Sequence, residues 1–174
     1  VWNGLVAASM ISIAVNPSLY RRLRQRIRRA ASRPTVGQAV IPGHAIIVGY
    51  GDVGRRVGED LRLKGIPLTI IDSDIVLVRR LQKAGVRALC GDGGSLEVLN
   101  EAGLAEAGSL LICCPIAEPG ALLHGLAKRH PGLRIAVRLM EGMPGELVSG
   151  TDFTVISEDN SAAGDITDVA TGKA

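Results

Sequence analysis

The apolar positions of the chain change their period twice. From Val1 to Leu19 there is no charged residue, and the run nearly matches the roughly 20 residues that a helix needs to span a bilayer. Asn3, Gly4, Ser9, Ser12, Asn16 and Pro17 interrupt it, so the expectation is the C-terminal part of a transmembrane helix whose outer end lies before Val1. Leu19, Leu23 and Ile27 then recur every four residues among arginines. That stripe fits either a helix lying along the membrane surface or a solvated basic linker. "SRPTVGQAVIPG", Ser32 to Gly43, has two Pro and two Gly and no helical period, and reads as a linker to a separate domain.

From His44 onward strand and helix rhythms alternate. Ala45–Val48 is a continuous apolar run of the kind buried on both faces of a parallel sheet. Val53, Val57 and Leu61 share one side of a helix over Val53–Lys64, which Gly65 stops. Strands over Pro67–Ile71, Val86–Leu89, Ser109–Cys114 and Arg134–Leu139 alternate with helices over Ile75–Ala84, Leu96–Ala102 and Ala121–Arg129, and Asp72-Ser73-Asp74 supplies turn and cap residues. Short connections between such elements predict an α/β fold: a Rossmann-like doubly wound parallel sheet with right-handed crossovers, preceded by the partial transmembrane and juxtamembrane helix. After Met140 the pattern weakens. "TDFTVIS" reads as a sixth strand, and "NSAAGDITDVATGKA" as either a short final helix or a frayed tail. The organisation expected is residues 1–19 in a transmembrane helix, 20–43 in a basic helix and linker, 44–158 in the α/β domain and 159–174 in a C-terminal tail.

Composition constrains the core and charge excludes one class of partner. Apolar residues make up 47% of the chain and aromatics only 2%, so the core is built from Val, Ile, Leu and Ala on closely packed backbone. The net charge of +3 is misleading, because residues 1–33 hold seven Arg and no acid, leaving 13 basic against 17 acidic residues in the remainder. A nucleic-acid binder carries its basic patch on the folded face; here the base is concentrated before the domain, and no nucleic-acid partner is expected. Arginines directly after an apolar run follow the positive-inside pattern, which puts the downstream domain in the cytoplasm and the chain at the inner (cell) membrane. A cleaved signal peptide has its basic residues before the run. Cys90, Cys113 and Cys114 lack metal spacing and sit in strand-like surroundings, as reduced core thiols do; adjacent cysteines such as Cys113 and Cys114 rarely bridge.

The chemistry-bearing stretch is "AIIVGYGDVGRRVGEDL". A strand precedes its Gly-x-Gly-x-x-Gly, a helix follows, and an acid ends the next strand. Gly49 permits the tight turn, Gly51 lets backbone approach a pyrophosphate, and Gly54 allows helix and strand to pack closely. With Tyr50, Asp52 and Val53 they form a loop whose amides, at the start of a helix, point partial positive charge at phosphates. Asp72, 21 residues after Gly51, is placed to take the two ribose hydroxyls of an adenosine. Its carboxylate would repel a 2′-phosphate, so NAD, NADH or an adenine mononucleotide fits better than NADP. The alternative is that the glycines serve packing and Asp72 caps the following helix. Ser73 adjoins it in the same turn. Cys90-Gly91-Asp92-Gly93-Gly94 follows the third strand and borders the same crevice, where Asp92 meets the adenosine, orders the glycine loop, or merely makes a turn. Cys114 ends the fourth strand, where the pyrophosphate or distal half of a dinucleotide passes.

The residues offer little for a reaction. Neither Tyr50 nor Tyr20 has a Lys four residues on, as a nicotinamide proton relay would need, and no metal-ligand spacing is present. His44, His124 and His130 read as packing or surface residues rather than catalysts. The grip is read as sensing, and no enzymatic activity is expected; a small membrane-anchored NAD-dependent oxidoreductase is the alternative from another class.

"ISIAVNP" with the arginine-rich stretch after it resembles the last transmembrane helix of cation:proton antiporter-2 family proteins, the bacterial potassium/proton antiporters. "IIVGYGDVGRRVGEDLRLKGIPLTIIDSD", "GVRALCGDGG" and "AGLAEAGSLLICC" resemble the TrkA-N domain, also called RCK or KTN, that follows it. The likeness runs from about Ile11 to Cys114 and continues loosely through "RIAVRL" and Gly150-Thr151-Asp152. It implies a regulatory lobe that dimerises, binds NAD(H) or an adenine nucleotide (AMP, ADP or ATP), and controls monovalent cation:proton antiport by a transport domain of the same polypeptide preceding Val1. The alternative within the family is a regulatory domain of a potassium channel or uptake system. Gly49, Gly51, Gly54 and Asp72 match nucleotide positions, and Asp92 matches the acid of a Gly-Asp-Ala-Thr loop that here reads Gly-Asp-Gly-Gly. The segment between Leu139 and Thr151 is shorter than in most members, at the place of a helix used in dimer packing.

Overall fold

The computed structural model describes residues 39–116, 119–138, 154–156 and 162–172. The helices expected over residues 1–38, and the segment between Leu139 and Thr151, lie outside the described residues. Among the described residues no helix is long and apolar enough to cross a membrane.

Six strands form the sheet: β1 (Ala45–Val48), β2 (Leu68–Asp72), β3 (Arg87–Cys90), β4 (Ser109–Ile112), β5 (Arg134–Arg138) and β6 (Thr154–Ile156). Their order is β3-β2-β1-β4-β5-β6 and every pairing is parallel. β1 is central, and all four of its residues are buried, which is why its sequence has no alternation. Ala45 stands opposite Leu68 on one side and Ser109 on the other. The chain leaves β1 toward β2 and β3, then returns across the sheet to β4, so the loops after β1 and β4 diverge at the carboxyl end and open a crevice between them.

Helices α1 (Asp52–Leu63), α2 (Ile75–Lys83), α3 (Leu96–Glu101), α4 (Pro119–Arg129) and α5 (Ala162–Thr171) cover the two faces. Leu99 of α3 and Leu123 and Leu126 of α4 pack on Ile46, Val48, Leu110 and Ile112. Val57 and Leu61 of α1 meet Ala45, Ile47, Leu111 and Ala136 on the opposite face, where Val78 of α2 covers Ile70 and Ala88. α4 begins at Pro119, two residues before the expected Ala121, because a proline at the first helical position loses no hydrogen bond that the helix would have made. β2 reaches Asp72, which pairs with Cys90, and β4 stops at Ile112 rather than Cys114.

Of the two readings of the C-terminal stretch, the short final helix is the one observed. Residues 162–171 form α5, and its Ile166, Val169 and Ala170 are buried in the cluster with Val57 and Leu61 of α1 and Ala136 of β5. Spacings of three and one put these side chains on one helical face. The core therefore extends past residue 158 and the helix closes the sheet beside α1.

Candidate functional site

The carboxyl ends of β1 through β5 meet around a cleft of about 380 Å³. Gly49 and Gly51 form one wall, Asp72 and Ser73 a second, Asp92 and Cys114 a third. Six of the ten expected contact residues thus converge here. The other four contribute differently: the side chains of Tyr50 and Val53 pack into the apolar layer around α1, Asp52 is exposed in the first turn of that helix, and Gly54 supports the loop from behind.

Each glycine of the loop has its own reason. Gly49 adopts φ +84°, and a Cβ on it would stand 2.5 Å from the Cβ of Cys114, so the left-handed turn and the approach to β4 both demand glycine. A Cβ on Gly54 would collide with the Gly49 carbonyl oxygen, which lets helix and loop close on each other. Gly51 has neither constraint: its φ is −76°, and nothing lies within 4 Å of a Cβ built there. Open space at the start of α1 is the one thing glycine preserves at this position.

The two helix starts beside the cleft differ in the same sense. α2 is closed by Asp74, whose Oδ1 accepts from the amides of Val76 at 2.8 Å and Leu77 at 3.3 Å. α1 begins after Gly51 with no side-chain cap. Its first-turn amides, which have no partner within the helix, are therefore left for an anion at the positive end of the helix dipole.

Asp72 organises the mouth. Its Oδ2 accepts from the Tyr50 amide at 2.8 Å and its Oδ1 from the Asp74 amide at 2.8 Å. One carboxylate thus ties the glycine loop to the turn after β2, and each oxygen retains acceptor capacity for a hydroxyl. Asp92 makes an equivalent short turn, its Oδ1 accepting from the Gly94 amide at 3.0 Å. Burial pushes the Cys114 thiol up from its ordinary value, and the negative charges of Asp72 and Asp92 push it further, so both carboxylates bear on the same point. Burial likewise drives the Cys113 thiol to about 12, the neighbouring Cys114 adding to the shift and Arg138 opposing it. All three cysteines stand as thiols, and Cys113 and Cys114 have no thiolate character near neutrality. The Tyr50 phenol is also pushed up, by burial first and Glu59 second, against Arg62 and Arg55.

Sequence reasoning missed Arg138 and Ile116 as parts of this cleft, and the packing role of Gly93 in the loop it had placed there. Arg138 had a usable signal, since a charge closing an apolar strand "RIAVR" falls at the ligand end of a parallel sheet. Gly93 had less: its role appears only in space, where a Cβ would collide with Val48.

A strand, an uncapped helix start and an acid on the next strand are shared by many nucleotide folds, and comparison with known proteins decides among them. The TrkA-N domain description matches residues 45–156. The chain belongs to the TrkA-N domain family. Inner membrane protein YbaL of Escherichia coli K12, whose name assigns it to cation/proton antiport, is 30% identical over 148 residues, 78% of this chain. The chain spans about a quarter (26%) of that relative's length. The crystal structure of the TrkA-N domain of YbaL superposes with a TM-score of 0.62 at 28% identity, covering 75% of this chain and 98% of that one. The GsuK channel bound to NAD gives 0.55 at 20% identity, covering 86% of this chain and 26% of that one, a likeness of fold alone. In this TrkA-N domain the matched stretch ends with β6, and α5 lies beyond it.

Proposed function

We propose that this TrkA-N domain binds an adenine nucleotide, NAD(H) or AMP, ADP or ATP, in the carboxyl-end cleft and reports its presence to a cation/proton antiporter. The observation that carries the reading is the pairing of an uncapped α1 start beside Gly51 with the Asp72 carboxylate across the same opening. Phosphate oxygens take the first-turn amides, and the sugar hydroxyls donate to the remaining acceptor positions of Asp72. In the fold's other settings the same crevice is where a dinucleotide lies, and the GsuK channel holds NAD.

The antiport part of the reading rests on the likeness to YbaL across this domain. The transport domain is then the partner in the same polypeptide, at the inner membrane, with this domain in the cytoplasm and paired as a homodimer. Nucleotide acts by binding one arrangement of the pair more tightly than another, since only differential affinity shifts such an equilibrium. In this reading the domain senses rather than reacts; among the described residues its cleft offers protonated thiols and two carboxylates that are already hydrogen-bonded.

Isothermal titration of the 174-residue chain with NADH, NAD, AMP and ATP tests the binding. At least one of these should bind with its affinity lowered by Asp72→Asn, by roughly ten- to hundredfold for the loss of a charge-assisted pair of about 1.5–3 kcal/mol. No heat from any of the four overturns the reading.

A further inference from the structure

His44 lies at the opposite end of the sheet from the cleft, immediately before β1, and is 1% exposed. Its ring is held between two carbonyl oxygens. Nδ1 stands 2.9 Å from the Ile41 carbonyl and Nε2 stands 3.0 Å from the Ala102 carbonyl, 58 residues away. Both partners are acceptors that cannot donate. A neutral imidazole has one N–H and one bare lone pair, so it satisfies one carbonyl and turns a lone pair toward the other. An imidazolium has two N–H groups and satisfies both.

The surroundings keep the ring from escaping this choice. Its backbone is tied on both sides, with the His44 amide donating to Ile41 O at 3.2 Å and the His44 carbonyl accepting from Gly108 at 2.9 Å. Gly103, at φ +89°, runs so close that a Cβ there would stand 3.2 Å from Cε1 of the ring and 2.6 Å from Val40. Ala102 is the residue that ends α3, so its carbonyl belongs to the negative end of a short helix dipole, which favours a cation. Charged groups approach from four elements. Arg62 of α1 and Arg87 of β3 share with His44 an apolar groove of about 510 Å³. Glu101, the last residue of α3, and Glu106 of the turn Leu104–Glu106 come from the segment on either side of Ala102, and the Glu106 carbonyl accepts from the Gly43 amide at 2.7 Å.

We propose that His44 is a proton-operated clamp: with both ring nitrogens protonated it locks the lead-in segment 39–43 to the end of α3, and on losing a proton it releases one of the two carbonyls. The sign follows from the acceptors. The clamp is closed while the ring carries both protons and opens when one of them leaves. It joins the point where the chain enters the domain to a helix on the far side of β1, so proton concentration acts on the entry to the domain rather than on the cleft. It stands whether or not the cleft binds nucleotide.

The test uses the 174-residue chain labelled with ¹⁵N-histidine. His44 is assigned against His124→Asn and His130→Asn, two changes remote from the junction. Long-range proton–nitrogen correlation spectra between about pH 5 and about pH 8.5 read the two ring nitrogens directly. Hydrogen-exchange protection of the Gly43 amide, corrected for intrinsic rate, reads the clamp. Both nitrogens should carry protons in the lower part of the range, and Gly43 protection should fall by about tenfold as one proton leaves, the scale of one lost hydrogen bond to a charged donor. The Ala45 amide in β1 should not change. His44→Gln should show no pH step at Gly43; where that variant does not fold, the wild-type spectra decide alone. A ring that stays one neutral tautomer across the range, or titrates while Gly43 protection stays constant, overturns the proposal.

Discussion

Asp72 ties two backbone amides with one carboxylate, and the tie to the glycine loop could not be read from its position in the sequence. Spacing after the glycine loop pointed to a sugar diol; the coordinates add bonds to the Tyr50 and Asp74 amides at 2.8 Å. Asp72→Asn keeps one carboxamide oxygen as an acceptor, turns a donor toward the other amide and removes the charge, so nucleotide affinity should drop together with a loss of stability smaller than that of Asp72→Ala. Asp72→Ala removes both ties and should also lower stability by about 1–3 kcal/mol, chiefly because the part-buried Tyr50 amide loses its partner. Cys113 gives a pH prediction. Its thiol is raised from 9.0 to about 12 when folded, so the unfolded chain ionises first. The stability this thiol contributes is complete below about pH 9 and is lost as pH climbs toward about 12, with a limiting slope near 1.4 kcal/mol per pH unit. Urea unfolding at about pH 8 and about pH 10.5 should show a steeper loss for the wild type than for Cys113→Val. The thiol's strand-like setting was legible as a core position; that Arg138 stands near it was not, since β5 is brought there only by the sheet.

At the level of elements, α1 and α5 mark the limits of what pattern alone conveys. The stripe Val57, Leu61 and the charges between them announced α1 to within a residue of its start. α5 was ambiguous because its buried face is made of Ile166, Val169 and Ala170 among Thr, Asp and Gly, and small residues give a weak periodic signal although they pack well. Ile166 is fully buried, and Ile166→Ala should cost about 2–5 kcal/mol in urea unfolding; an effect below about 0.5 kcal/mol would mean that the helix does not hold the sheet. The start of α1 supplies a paired prediction. Gly51→Ala meets open space at an ordinary φ and should leave stability within about 0.5 kcal/mol while lowering nucleotide affinity about tenfold. Gly54→Ala meets the Gly49 carbonyl and should destabilise by at least about 1–3 kcal/mol. If Gly51→Ala and wild type titrate identically with every nucleotide, the ligand does not approach α1.

For the molecule as a whole, the order of strands was legible in outline because alternating elements with short connections admit few right-handed arrangements. The crevice between β1 and β4 followed from that order, and with it the grouping of Gly49, Asp72, Asp92 and Cys114. Place in the motif distinguished Gly51 from Gly54, and the structure shows open space at the first and contact with the Gly49 carbonyl at the second. A nucleotide that binds the native state alone should raise unfolding stability by about 2.7 kcal/mol at a hundredfold excess over its dissociation constant, and the nucleotide giving the largest gain identifies the preferred ligand.

The bonds from Asp72 to Tyr50 and Asp74 are internal to the protein and tie the glycine loop to the turn after β2. A receptor pre-shaped in this way spends little of its binding energy on ordering loops. Whatever message an occupant sends therefore has to leave as a shift of whole bodies against one another, and the Tyr50 amide, already bonded to Asp72, should keep nearly the same hydrogen-exchange protection before and after saturation.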